Sequence, residues 1–130
     1  YFYEEMPLLH IIAAGSLVEF TVLFKGAVAE QFVGQELLAY QNPYSKPCLY
    51  YWAREAKNSN AELDYIIQKQ GSVIPIEVKS GAIGRMKSMN MFMEKYQVKQ
   101  GIKISQAPYD PANKIISLPF YSLEGFFNMS

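Results

Sequence analysis

The sequence predicts one α/β domain whose core runs α-β-β-β-α-β, with a mixed central sheet flanked by helices and a short β-α tail. Three observations lead there. Residues 25–41 and 87–97 repeat apolar side chains at helical spacing. Between them lie three strand-like stretches joined by short connections, which makes those strands an antiparallel meander. A further apolar stretch, Ile102 to Ser105, follows the second helix and extends the sheet.

In order, the first helix gathers Ala29, Val33, Leu37 and Tyr40 on one side at about 100° per residue. Glu30 falls about 20° from Leu37 on that wheel, at the border of the apolar stripe. Gly34, one turn further on, has no side chain and leaves room for another segment to approach. Asn42 to Pro47 is a turn, and its two prolines stop the helix. Cys48 to Ala53 is aromatic-rich and reads as a strand. Glu62 to Gln68 alternates around Leu63, Tyr65 and Ile67; Gln70 to Ser72 turns the chain, and Val73 to Lys79 is the third strand. The second helix, Lys87 to Gln97, lines up Met89, Phe92, Met93 and Tyr96. Lys114 to Leu118 is the last strand and Tyr121 to Phe127 a terminal helix.

The bulk properties agree with one packed domain. Half of the 130 residues are hydrophobic, and 8 Phe, 10 Tyr and one Trp are ample core material. No apolar run approaches the roughly 18 residues that span a membrane, and the apolar stretch 6–18 lacks the basic lead of a signal peptide. One cysteine, Cys48, forms no internal disulfide, so a reducing, cytoplasmic setting is expected. Lys plus Arg equals Asp plus Glu at 12 each, so global charge does not draw the chain to nucleic acid.

The chemistry concentrates on the second and third strands. Side chains two apart share a face, so Glu77 goes with Lys79, and Glu62 with Asp64. Ile74, Ile76 and Val78 form the opposite, apolar face of the third strand. Pairing through the Gln70–Ser72 turn brings Asp64 beside Glu77, at about 5 Å if directly opposed. Two carboxylates that close repel unless a cation or proton intervenes. Mg²⁺ or Mn²⁺, which prefer oxygen ligands, would fit between them. The Lys79 ammonium, two residues on, could orient water or stabilise charge on a phosphate. His10, the one histidine, has no Cys or His companion for a zinc site, and Cys48 has no histidine near it in sequence to activate it. Arg85, Lys87 and Ser88 read as a solvated helix start, and the methionines of the second helix as core.

The segment AELDYII…GSVIPIEVKSG resembles the D-x(n)-E-x-K core of the PD-(D/E)XK nuclease superfamily, which has a restriction-endonuclease-like fold. With GAVAEQFVGQEL before it and LPFYSLEGF after it, the stretch 25–127 also resembles the domain that follows the ATPase module in many prokaryotic AAA-type ATPases. The resemblance implies Asp64 and Glu77 as metal ligands, the carbonyl of Val78 as a third, Lys79 as the catalytic lysine, and Glu30 as the first-helix acid that holds metal or water. Leu63 stands where the proline of the motif would be. It implies a Mg²⁺- or Mn²⁺-dependent nuclease acting on DNA, or, alternatively, a DNA- or protein-binding appendage that keeps the fold without activity.

Residues 1–24 read as a separate leader ahead of a domain at 25–130. EEMPLLHIIAAGSLVEF resembles a late core strand of the same ATPases, yet the chain has no G-x-x-x-x-G-K-[ST] loop. The leader therefore reads as an ATPase remnant, without nucleotide binding. Its apolar strand is expected to pack on the domain or on a second copy of the chain.

Overall fold

A computed structural model describes residues 26–58 and 60–128; the leader, with its expected strand and packing, lies outside the described residues. The elements are α1 (Ala27–Ala39), β1 (Tyr50–Ala53), β2 (Glu62–Lys69), β3 (Ser72–Val78), α2 (Lys87–Tyr96), β4 (Gly101–Ser105), β5 (Ile115–Pro119), a 3₁₀ turn (Phe120–Ser122) and α3 (Leu123–Asn128). The five strands form one mixed sheet in the order β1-β2-β3-β4-β5. β1 to β3 are antiparallel neighbours, while β3, β4 and β5 are parallel. Two strand ends differ from the alternation-based reading. Cys48 lies outside β1, its N–H and carbonyl both bonded to the Gln41 side chain, and β3 stops at Val78, one residue before Lys79.

The parallel strands are in register by apolar rows. Ile76, Ile102 and Ile116 form one row, and Val78, Ile104 and Leu118 the next. Ile76, Val78, Ile102, Ile104 and Leu118 pack with Ala29, Val33 and Leu37 of α1 in the larger core. The opposite face is covered by α2, where Met89, Phe92 and Met93 pack on Leu63. Trp52 joins that cluster edge-on to Phe92, with ring centroids 5.4 Å apart. Between the apolar rows runs a polar one on the α2 side: Glu77, Lys103 and Ser117 are register neighbours. Because helices cover both faces, β3 is buried from Pro75 to Val78, and Glu77 is buried with it.

β2 does not keep the simple alternation. Tyr50 pairs with Ile66 and Trp52 with Leu63, so two steps on β1 match three on β2. This extra residue is a β-bulge. It sends Leu63 and Ile66 to the α2 side and Tyr65 and Ile67 to the α1 side. The expected common face of Leu63, Tyr65 and Ile67 is therefore broken at the bulge, and Glu62 and Asp64 lose the strict pairing of faces that alternation implied.

The β2–β3 hairpin turns through Gln70 and Gly71, both at positive φ (51° and 77°), with Lys69 paired to Ser72. A two-residue turn with both residues left-handed matches the twist of its strands, and Gly71 adopts it without strain. Beside the turn, Lys69 Nζ donates to the carbonyls of Phe126 and Phe127, satisfying acceptors that the last turn of α3 leaves open. Among the described residues no helix is long and apolar enough to cross a membrane.

Candidate acid and lysine site at the fork of β2 and β3

The last ladder pair toward the open end of the hairpin is Tyr65 with Ile76. One step beyond stand Asp64 and Glu77, where the strands part. Here Asp64 replaces a backbone partner with its side chain: Oδ2 accepts the Val78 N–H at 2.7 Å. The bulge beside Asp64 re-aims the backbone, so the carboxylate reaches across to β3. The Lys79 N–H is bonded to the Ile104 carbonyl on β4. Across the trans Val78–Lys79 peptide, the Val78 carbonyl must then point the other way, toward β2 and Asp64.

Glu77 is 7% exposed. Its Oε1 accepts from Lys79 Nζ at 2.5 Å, a charge-assisted pair. Its Oε2 is buried and receives no hydrogen bond from any described residue. The Lys79 stem lies against Gly84, where a Cβ would come within 3.1 Å of Cγ. The chain after Lys79 thus folds back under the lysine, held by Lys103 Nζ donating to the Ala82 carbonyl at 2.7 Å.

Glu30, in the first turn of α1, is half-buried. Its carboxyl is pushed above the usual range by burial and then by the negative charge of Asp64, with Lys79 opposing. Asp64 is also raised, mainly by burial, against the Val78 N–H and Lys79, which favour its charged form. Glu77 is raised by burial first; the Lys79 hydrogen bond opposes this, while Asp64 and Glu30 add to it. The three acids and the lysine therefore share one local field. Desolvation and like charge both favour protonation or a cation.

The acids do not close into a three-carboxylate cage. Among the described residues no three His, Cys, Asp or Glu side chains are grouped to hold a metal ion. Glu30 is near enough to be felt but does not complete such a set with Asp64 and Glu77. What the fork offers is two carboxylates and a backbone carbonyl. That donor set suits Mg²⁺, which keeps several waters and commonly takes only one or two carboxylates from the protein. The unsatisfied Glu77 Oε2 is the donor that most needs a partner.

Of the residues singled out by sequence, Asp64, Glu77, Val78, Lys79 and Glu30 are brought to the same end of the sheet. Arg85 and Lys87 are exposed beside it, as expected for a solvated helix start, and Cys48 is an exposed free thiol. The sequence reading missed Lys103, Gly84 and the role of Tyr65. Lys103 had a signal, a lysine in the otherwise apolar strand Ile102 to Ile104; Gly84 had the paired glycines after Lys79. Two concave regions lie elsewhere. One, of about 1060 Å³, is lined by Ser72, Val73, Tyr96 and Lys99 at the turn end of the hairpin. The other, about 560 Å³, lies between Tyr40, Tyr50 and Phe127. The acid fork lies at the end of the β2–β3 ladder.

Fold and site together define a mixed α/β domain that carries a half-buried acid and lysine cluster at a strand fork. The chain belongs to a family described as a domain of unknown function (DUF4143), whose model matches residues 25–121. No curated protein and no solved structure matches it.

Proposed function

We propose that this is a metal-dependent nuclease-like domain of the PD-(D/E)XK type, carried by a prokaryotic AAA-type ATPase and hydrolysing DNA phosphodiesters. The observation that carries the reading is Glu77 Oε2, a buried carboxylate oxygen left without a partner beside Asp64 and Lys79. Asp64, Glu77 and the Val78 carbonyl would hold Mg²⁺ or Mn²⁺. The bound cation would supply a lowered water pKa and charge neutralisation at the phosphate. Glu30 stands at the rim as a carboxyl whose pKa burial and Asp64 raise, and would hold water or a proton. Lys79 neutralises Glu77 through their ion pair. With a cation held beside Glu77, the Lys79 ammonium would be free to face a phosphate oxygen, where charge grows in the transition state.

A second reading, a non-catalytic DNA- or protein-binding appendage, draws on the zero net charge and on the absence of a three-acid cage among the described residues. Calorimetric titration with Mn²⁺ and a plasmid-nicking assay on the parent and on Asp64→Ala separate the two. The nuclease reading expects saturable Mn²⁺ binding and nicking in the parent, both lost in Asp64→Ala. A parent that binds no Mn²⁺ and nicks nothing leaves the non-catalytic reading.

A further inference from the structure

The Tyr65 hydroxyl donates to the main-chain carbonyl of Glu30 at 2.8 Å. In helix geometry that carbonyl already accepts the N–H of Gly34, four residues on. The phenol reaches it only because Gly34 has no side chain: a Cβ there would lie 2.6 Å from the hydroxyl oxygen and 3.0 Å from Cζ. Tyr65 follows Asp64 directly in the chain and is the first β2 residue in the β2–β3 ladder at this end. One side chain therefore ties the backbone of Glu30 to the strand position next to Asp64. The tie is half-buried and lies in the larger core, where competing water is scarce.

We propose that Tyr65 is a positioning residue for the acid cluster: its bond to the Glu30 carbonyl, admitted by Gly34, sets the distance of the Glu30 carboxyl from Asp64. This rests on the metal-site reading for its consequence but not for its geometry. Packing alone would require only an aromatic ring. Positioning requires the hydroxyl, and acts through Glu30.

The test is a double-mutant cycle with Tyr65→Phe, which keeps the ring, and Glu30→Gln, each confirmed folded by urea unfolding. Mn²⁺ affinity is read first. Tyr65→Phe is expected to weaken Mn²⁺ binding by about tenfold, the scale of disturbing an outer-shell group beside the ligands. In the Glu30→Gln background the same change should have no further effect. Equal weakening in both backgrounds, or none in the parent, overturns the proposal. If the parent binds no Mn²⁺ the metal reading fails, and the positioning role is decided without metal. The unfolding coupling between Glu30→Gln and Asp64→Asn is then compared with and without Tyr65→Phe. A coupling reduced by at least about half supports the role; an unchanged coupling removes it. Gly34→Ala, where it folds, should reproduce the Tyr65→Phe pattern in either arm.

Discussion

The two faces of the sheet are covered by helices of different character. On the α1 side branched aliphatic rows, edged by Phe120 and the rings of α3, are closed by a glycine that a tyrosine hydroxyl crosses to reach a carbonyl. On the α2 side methionines and aromatic rings fill the space, and the cluster runs out to the half-exposed Tyr96. Each face has a buried glycine with equally little room. A Cβ at Gly34 would lie 2.6 Å from Tyr65 Oη, and one at Gly101 would lie 2.6 Å from Met89 Sδ. The neighbours differ in what they can yield. Tyr65 has two side-chain torsions and is held by a hydrogen bond, whereas methionine has three and no polar anchor. The face that holds Glu30 is the stiff one, and the other is adaptable.

The largest effect follows from that stiffness. Gly34→Val should lower unfolding stability by about 3 kcal/mol, since it overpacks the site and breaks the tyrosine bond. Gly34→Ala should cost about 1 kcal/mol, because the better helix propensity of alanine offsets part of the clash. Gly101→Ala should cost less than Gly34→Ala, as the thioethers shift aside. Urea unfolding of the three variants checks the order. If Gly101→Ala proves as costly as Gly34→Val, the contrast between the faces is wrong.

Next in size is the charge cluster. Under the proposed function, Lys79→Ala should reduce nicking by about 10²-fold without weakening Mn²⁺ binding, as the lysine is not a ligand. The same substitution affects stability. Glu77 is buried with Lys79 as its partner, so the substitution strands a carboxylate and should cost about 1–2 kcal/mol, less than a fully buried pair because the lysine is partly exposed. Asp64→Ala strands no charge but leaves the Val78 N–H without its acceptor. A thermal melt that places Lys79→Ala level with the parent would show that the pair is not held in solution.

A smaller effect appears on changing pH. Glu30, Asp64 and Glu77 all have folded pKa values above the ordinary carboxylate range, set first by burial. The native state then binds more protons than the unfolded chain between the two ranges, so stability falls as pH rises through that window and is greatest below it. Tm measured from about pH 4 upward should decline more steeply in the parent than in a Glu30→Gln, Asp64→Asn double variant. Equal slopes would mean that the cluster is more hydrated than its burial implies. Smallest of all, Tyr96→Phe on the adaptable face removes the acceptor of the Trp52 Nε1 bond at an exposed rim, and Tm should not move.

Much of this was readable before any fold. Helical spacing placed the apolar stripes of α1 and α2, and the gap at Gly34 followed from a missing side chain. What crosses that gap was not readable. Tyr65 looked like one more apolar strand residue, because a bulge announces itself in no local composition and only pairing with β1 exposes the extra residue. The acids were legible as types at a spacing. Their geometry was not, since alternation assumes regular strands and Asp64 lies where regularity ends. The burial of Glu77 was hidden too, because it depends on α2 covering the second face, a tertiary fact. Lys103 and Ser117 join Glu77 only through parallel pairing, which no short connection in the sequence specifies.

The two-residue turn at Gln70 and Gly71 works as a ruler. Counting back from it, each step pairs one residue of β2 with one of β3, so the opposition of Asp64 to Glu77 is settled within a single hairpin. Hairpins close in about 1–10 μs, well before distant strands are gathered. The contact of the two acids is thus local in sequence, and their repulsion opposes the hairpin that the turn promotes. One residue inserted at the turn would slip the register and send every following side chain of β3 to the wrong face. The spacing of the acids is therefore kept by Gly71, at the opposite end of the hairpin from the carboxylates it aligns.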